Sequence, residues 1–175
     1  IEAFFKAYGI SPAYKKIEGL CYRENGDVRI NDYTEKPVFS MDELPFPARD
    51  LIDNSCYGNF ISARKNFTAM LTGIGCPFRC HYCASRLGRC SLRSAERVAD
   101  EIEECHSIHG VREIDFYDQS FTVDRERTIA ICREIIKRGI DITWTIRTRA
   151  DLIDEEMLSI MKKAGLRRIM YGIES

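Results

Sequence analysis

The residues best suited to chemistry stand together in one segment, Gly75-Cys76-Pro77-Phe78-Arg79-Cys80-His81-Tyr82-Cys83-Ala84. Its three cysteines have the spacing Cys-x3-Cys-x2-Cys, and no fourth cysteine follows at a comparable short interval. Cysteine thiolates hold iron–sulfur clusters, and a [4Fe–4S] cluster offers four irons to ligate. Three thiolates would leave one iron open to a ligand that is not protein. The spacing therefore predicts a cluster on Cys76, Cys80 and Cys83 at which chemistry is carried out.

Two other uses of these cysteines compete with a cluster. Eight cysteines are about 5% of the chain, whereas disulfide scaffolds exceed about 8–10%. Structural zinc needs four ligands, usually with a second Cys/His pair farther along the chain. The available fourth ligands form no such pair: Cys90, Cys105, His81, His106 and His109. Spacing favours the cluster and leaves a zinc-stabilised, non-catalytic binding module as an alternative.

From about Phe67 onward, the sequence alternates between strand and helix patterns. The predicted strands are short, apolar and β-prone, and they cover residues 67–72, 113–117, 140–146 and 168–172. The predicted helices begin after the capping residues Ser94, Asp124 and Asp154 and end at Gly110, Gly139 and Gly165. Such alternation is typical of βαβ units. The sequence thus predicts an α/β fold with about four parallel strands.

Residues 1–67 have a different character and hold four of the five prolines. Asn25-Gly26 lies between two extended runs, which is a strong signal for a β-hairpin. The two prolines within residues 44–50 predict a stiff, extended connector, because each proline disfavours helix at the preceding residue. We therefore predict an irregular and β-hairpin connector over residues 1–67, followed by an α/β core over residues 68–175.

Polar or chelating residues follow every predicted strand of this core. Parallel α/β folds bind ligands at the carboxyl ends of their strands. The four groups are the cysteine segment, Asp118-Gln119-Ser120-Phe121-Thr122, Arg147-Thr148-Arg149-Ala150-Asp151 and Gly172-Ile173-Glu174-Ser175. We expect these groups to meet in one site.

The three cysteines, Tyr82 before the last of them, and the order of strand ends resemble the radical S-adenosylmethionine (SAM) superfamily over residues 68–175. The resemblance implies the N-terminal part of a (β/α)6 partial barrel, with a [4Fe–4S] cluster and SAM as cofactors. In that family the open iron chelates the amino and carboxylate groups of SAM, and reductive cleavage yields a 5′-deoxyadenosyl radical. A one-electron reductant, such as flavodoxin or ferredoxin, is the implied partner.

The same resemblance implies candidates for the contacts with SAM. They are Tyr82 for the cluster or the adenine, Asp118 or Gln119 for the amino group, Arg147 or Arg149 for the carboxylate, and Glu174 or Ser175 for the ribose or the methionyl end. Structural roles stand beside these assignments. Asp118 could cap a turn, and either arginine could pair with Asp151.

Residues 17–23 and 41–50 resemble the connector that follows a cobalamin-binding domain in one subgroup of the family. That subgroup includes anaerobic magnesium-protoporphyrin monomethyl ester cyclases and several methyltransferases, and it implies a tetrapyrrole, lipid or other small-molecule substrate. The cobalamin signature Asp-x-His-x-x-Gly is absent from these residues, so cobalamin is implied only for a longer protein with a preceding domain. A second reading is a radical SAM tRNA methylthiotransferase, which uses three further upstream cysteines; here only Cys21 and Cys56 lie upstream.

Composition limits the partners and the location. The 26 basic and 27 acidic residues give no electrostatic case for binding nucleic acid. No segment reaches the roughly 20 apolar residues of a transmembrane helix. Free cysteines at this density fit a reducing cytosol, so we expect a cytoplasmic protein. The fourth strand has no following helix to cover it, and we expect the native polypeptide to continue beyond Ser175.

Overall fold

A computed structural model of the protein describes residues 2–8, 11–32, 40–83 and 89–173. The chain forms two compact units, Ile1–Val38 and Phe39–Ser175. Within the part of the chain that the structure describes, no helix has the length and apolar character that crossing a membrane requires.

The first unit contains two short helices and a β-hairpin. Its elements are α1 (Glu2–Ala7), α2 (Ser11–Tyr14), β1 (Cys21–Glu24) and β2 (Asp27–Ile30). Asn25 and Gly26 connect the two antiparallel strands with φ angles of 53° and 90°. Two successive positive φ angles are the conformation that Asn-Gly supplies most readily in a hairpin turn. The predicted hairpin is confirmed.

The second unit contains a parallel sheet, three long helices and a second hairpin. Its strands are β3 (Phe67–Met70), β4 (Gly73–Cys76), β5 (Arg89–Leu92), β6 (Glu113–Phe116), β7 (Thr143–Arg149) and β8 (Leu166–Gly172). Its α-helices are α3 (Ala95–Ser107), α4 (Arg125–Lys137) and α5 (Glu155–Lys163). Short 3-10 helices cover Met41–Glu43, Arg49–Leu51, Asn54–Cys56, Phe121–Val123 and Ala150–Leu152.

The four parallel strands lie in the order β3-β6-β7-β8, which confirms the predicted α/β fold. Each long helix begins where the sequence predicts. The side chains of Ser94, Asp124 and Asp154 accept hydrogen bonds from the backbone amides of Arg97, Arg127 and Met157. These bonds satisfy amides that the first helical turn leaves without a partner.

The third parallel strand was predicted over residues 140–146, and this range is wrong. The strand runs from Thr143 to Arg149. Gly139 ends α4 at a φ of 63°, and the amide of Ile140 then donates to the carbonyl of Ile135. Ile140 therefore closes the end of the helix, and the strand begins only at Thr143. Arg147 and Arg149 consequently lie in the strand itself.

A core of apolar side chains fills the space between the sheet and α3, α4 and α5. Phe116, Phe121 and Trp144 form an aromatic cluster at its centre, with ring centroids 4.8 to 5.8 Å apart. Trp144 is fully buried, and its indole N–H donates to the carbonyl of Ala164 at 2.8 Å. This core supports the sheet from one side and leaves the strand ends free to form a site.

Candidate active site

The carboxyl ends of the strands surround a cavity of about 460 Å³. Small-molecule sites usually have volumes of about 300–1,000 Å³. Thirteen residues line the cavity: Cys76, Phe78, Cys80, Tyr82, Cys83, Gln119, Ser120, Arg147, Thr148, Arg149, Met170, Tyr171 and Gly172. The structure therefore brings the cysteine segment together with residues from the ends of β6, β7 and β8.

The cysteine segment begins in a hairpin that sequence analysis missed. Strands β4 and β5 pair antiparallel, and Cys76 is the last residue of β4. Each strand has only four residues, and β4 contains two glycines, so neither has a recognisable strand pattern. The hairpin fixes the start of the segment beside the ends of the parallel strands.

The thiols of Cys76, Cys80 and Cys83 are half-buried and line the same cavity. The amide of Cys83 donates to the carbonyl of Cys80 at 3.1 Å, which makes a tight turn between them. Among residues 2–8, 11–32, 40–83 and 89–173, no three His, Cys, Asp or Glu side chains are grouped to hold a single metal ion. Three thiols on one cavity are the donor set that fits a cluster with an open iron.

Arg149 contacts the cysteine segment directly. Its Nη1 lies 3.6 Å from Cys80 Sγ, and its guanidinium carbon lies 4.4 Å from the centre of the Phe78 ring. Its Nε and Nη2 donate to the two carboxylate oxygens of Asp151 at 2.9 and 2.7 Å. These bonds hold the pKa of Asp151 below its usual range. The pairing with Asp151 considered from the sequence is thus present for Arg149.

Arg147 also lines the cavity, but two nitrogens of its guanidinium are hydrogen-bonded to Asp115 of β6. Nη1 and Nη2 donate to the two carboxylate oxygens at 2.6 and 3.1 Å, and Nη1 also donates to the carbonyl of Phe116. The guanidinium carbon lies 4.1 Å from the centre of the Tyr117 ring. The hydrogen bonds to Asp115 raise the pKa of Arg147. Arg147 thus links β7 to β6.

Asp118 lies away from the cavity lining, buried against Thr72. Its carboxylate accepts from the backbone amide of Thr72 at 2.7 Å and from the Thr72 hydroxyl. Burial raises the pKa of Asp118, and the hydrogen bonds from Thr72 oppose that shift. Arg127 of α4 donates to both the hydroxyl and the carbonyl of Thr72. Of the two candidates for the amino group of SAM, Gln119 is the one that lines the cavity.

The remaining candidates divide into two groups. Tyr82 lines the cavity with 65% of its surface exposed. Glu174 and Ser175 lie outside the described residues.

Ser120 and Thr148 also line the cavity; their hydroxyls are 3.2 Å apart, and both residues are buried. Sequence reasoning missed this hydroxyl pair as a site feature, although both residues lie in the polar groups noted after the strands.

The other cysteines lie outside the cavity lining. Cys90 lies opposite Gly75 on β5, and burial raises the pKa of its thiol. Cys105 and Cys132 are fully buried on their helices, and burial raises the pKa of each thiol to about 12. Cys21 and Cys56 are exposed.

Comparison with known proteins identifies the family. The model of the radical SAM superfamily matches residues 70–175, which is more than half of the chain. The chain is 37% identical over 164 residues to an uncharacterized methyltransferase of Pyrococcus horikoshii, covering 92% of this chain and 35% of that protein. It is 36% identical over 179 residues to an anaerobic magnesium-protoporphyrin IX monomethyl ester cyclase of Cereibacter sphaeroides, covering 98% of this chain and 28% of that protein.

A solved structure has the same fold. The apo, selenomethionine-labelled structure of the cobalamin-dependent S-adenosylmethionine radical enzyme OxsB aligns with a TM-score of 0.66 at 21% sequence identity. The alignment covers 99% of this chain and 29% of that chain. The chain thus spans about a third of the length of these relatives. From the family match and the shared fold, we conclude that this chain belongs to the radical SAM superfamily, a superfamily of enzymes.

Proposed function

We propose that the protein is a [4Fe–4S]- and SAM-dependent radical enzyme of the cobalamin-linked group. The observation that carries this proposal is the shared cavity, in which three thiols lie beside the ends of β6, β7 and β8. Cys76, Cys80 and Cys83 would ligate three irons and leave the fourth to the amino and carboxylate groups of SAM. When bound, the cluster and SAM supply a one-electron reductive cleavage of a carbon–sulfur bond of SAM.

The residues of the chain would bind and orient these cofactors. Gln119 lines the cavity and is our candidate for the amino group of SAM. Tyr82 and Tyr171 offer aromatic faces for the adenine, and Met170 adds apolar wall that excludes water. The hydroxyls of Ser120 and Thr148 offer hydrogen bonds to the polar parts of SAM.

Each of the two arginines that line the cavity is paired with an aspartate. Arg147 is paired with Asp115, and Arg149 is paired with Asp151. Arg147 keeps a face toward the cavity, and it is our candidate for the carboxylate of SAM, with Asp115 fixing the direction of its guanidinium. A bidentate arginine–carboxylate pair of this kind orients the guanidinium plane as well as holding it in place.

The relatives support the choice of subgroup. Among them are a methyltransferase and magnesium-protoporphyrin IX monomethyl ester cyclases, and we infer cyclisation or methyl transfer on a tetrapyrrole, lipid or other small molecule. Cobalamin would be held by parts of the protein outside these residues. A flavodoxin or ferredoxin would deliver the electron.

Anaerobic reconstitution with iron and sulfide tests the proposed function. We expect about four irons and four sulfides per chain, with broad absorption near about 400 nm. Cys83→Ala should abolish the cluster, because it removes one of three ligands. Cys56→Ala, which changes an exposed thiol, and Cys132→Ala, which changes a buried one, serve as matched controls that should retain it.

Stoichiometric zinc without iron uptake would contradict the proposal and support the zinc-stabilised module instead. A second cluster, amounting to about eight irons per chain, would favour the methylthiotransferase reading. Retention of a full cluster in Cys83→Ala would show that the three cysteines have been assigned wrongly.

A further inference from the structure

Arg149 touches the cysteine segment at two points. Its Nη1 lies 3.6 Å from Cys80 Sγ, within hydrogen-bonding distance for sulfur. Its guanidinium also lies over the Phe78 ring, with 4.4 Å between the guanidinium carbon and the ring centre. A guanidinium over an aromatic face is attracted by the electrons of the ring. One side chain of β7 therefore holds two members of the loop that carries the cysteines.

Asp151 fixes the direction of this guanidinium. Nε and Nη2 donate to the two carboxylate oxygens at 2.9 and 2.7 Å, which is a bidentate pair. Both residues lie where β7 ends and the 3-10 helix Ala150–Leu152 begins. With Nε and Nη2 committed to Asp151, Nη1 is the nitrogen directed at Cys80.

A positive N–H donor at a ligand sulfur has a defined effect on an iron–sulfur cluster. Hydrogen bonds to the sulfurs and the local charge are among the factors that set the reduction potential. Reduction adds a negative charge to the cluster, and a nearby cation stabilises the reduced form. Loss of that cation lowers the potential.

We propose that Arg149 is a positioning residue that holds Cys80 and raises the reduction potential of the cluster. The proposal deepens the proposed function and rests on it, since it requires a cluster on Cys80. It differs from the role suggested by family resemblance, in which Arg147 or Arg149 meets the carboxylate of SAM. Arg147 keeps that role, because it lines the cavity and its contacts lie with Asp115, Phe116 and Tyr117 rather than with the cysteine segment.

The chain offers a matched control for Arg149. Arg125 also pairs with carboxylates, donating to Asp154 through Nε at 2.7 Å and to Glu156 through Nη2 at 2.6 Å. It is partly exposed to a similar extent, with 40% of its side-chain surface accessible against 37% for Arg149. Arg125 begins α4 and lies outside the cavity lining. Removing Arg125 deletes the same charge and comparable ion pairs at a place outside the cavity lining.

The test is a potentiometric titration of the reconstituted protein, followed by paramagnetic resonance in the absence of SAM. In Arg149→Gln, the ratio of reduced to oxidised cluster at the wild-type midpoint should fall about tenfold, equivalent to 59 mV for a one-electron couple. Arg149→Lys keeps the charge but loses the planar fork, and its ratio should fall about threefold. Arg125→Gln should match the wild type. SAM affinity, measured by equilibrium dialysis, should stay within about threefold in all variants.

Unchanged potentials in Arg149→Gln and Arg149→Lys, with full clusters, would overturn this proposal and leave the proposed function standing. A large loss of SAM affinity at an unchanged potential would overturn it too and assign Arg149 to the carboxylate of SAM. If Arg149→Gln fails to hold a cluster, the reduction potential of Arg149→Lys decides between a role of Arg149 in tuning the cluster and no such role. Absence of any cluster in the wild-type protein would overturn both proposals.

Discussion

Asp118 illustrates how one residue supports the site from outside the cavity. Its carboxylate accepts from the amide and the hydroxyl of Thr72, the residue directly before β4. Arg127 of α4 donates to the hydroxyl and the carbonyl of the same threonine. The three residues are all buried. They tie the end of β6, the start of the cysteine hairpin and α4 to one another.

We predict that Asp118→Ala lowers the free energy of unfolding by about 2–3 kcal/mol. The substitution leaves two buried donors of Thr72 without an acceptor, and each such group costs about 1–3 kcal/mol. Gln119→Ala is the matched control: Gln119 is exposed, and exposed substitutions usually cost less than about 0.5 kcal/mol. Denaturant melts of the cofactor-free protein measure both values. Equal costs for the two variants would show that the Thr72 network has no stabilising role.

The order of the two variants should reverse when SAM binding is measured, with Gln119→Ala showing the larger direct effect. Gln119→Ala should weaken SAM binding, because Gln119 lines the cavity. Asp118→Ala should act through the position of the cysteine hairpin, and hence through the yield of cluster.

At the scale of elements, the parallel strands and the helices were predictable because their determinants are local. The caps at Ser94, Asp124 and Asp154 and the glycines that end the helices act within a few residues of the chain. The hairpin of β4 and β5 was not predictable. Its strands are separated by twelve residues of the chain, so their pairing is not determined by a local pattern.

Side-chain roles at the site were predictable only in part, because some of them depend on contacts between segments that are distant in the chain. The sequence placed Arg147, Arg149 and Gln119 at strand ends, and the structure brings them to one cavity. The pairing of Arg147 with Asp115 depends on the register between β6 and β7, which the sequence does not reveal. The pairing of Asp118 with Thr72 likewise depends on a contact between distant segments.

Two helix-ending glycines give a prediction about how β7 and β8 are placed. Gly165 has a φ of +100°, and a Cβ there would lie 2.1 Å from the carbonyl oxygen of Ile142. Gly139 has a φ of +63° with no atom within 4 Å of such a Cβ. Gly165→Ala should therefore cost at least about 3 kcal/mol, since backbone strain and a steric clash add together. Gly139→Ala should cost about 1–2 kcal/mol from the backbone alone.

Thermal or denaturant unfolding of the two glycine variants measures this difference. The larger cost for Gly165 matters for the site, because the amide of Trp144 in β7 donates to the carbonyl of Gly165. A shift there would move β7, and with it Arg147 and Arg149. Similar stabilities for the two alanine variants would contradict the close approach at Gly165.

At the scale of the whole second unit, the two ends of the parallel sheet differ. At the amino ends of the strands, the Glu113 carboxylate accepts from the amides of Ala63 and Arg64, each at 2.8 Å. Arg168 donates to the carbonyl of Ile61 at 2.7 Å. The segment before β3 therefore covers that end. The carboxyl ends remain open and form the cavity that carries the cysteines.

Residues 41–49 of the second unit are also tied to its core by buried charges. Glu101 of α3 accepts from Arg49 and from Arg93, and all three side chains are nearly inaccessible. Arg93 donates further to the carbonyl of Met41. Breaking such a buried pair is costly, because a charge is left without its partner. Met41 and Arg49 are thus fixed to α3 within the second unit.

The most direct test of the central claim is the paramagnetic resonance spectrum of the reduced, cluster-loaded protein with and without SAM. We predict a changed signal at saturating SAM, because the open iron gains an amino and a carboxylate ligand. The same addition should produce no cluster signal in Cys83→Ala. A cluster signal in the wild-type protein that stays identical at saturating SAM would contradict the claim that Cys76, Cys80 and Cys83 hold a cluster that binds SAM.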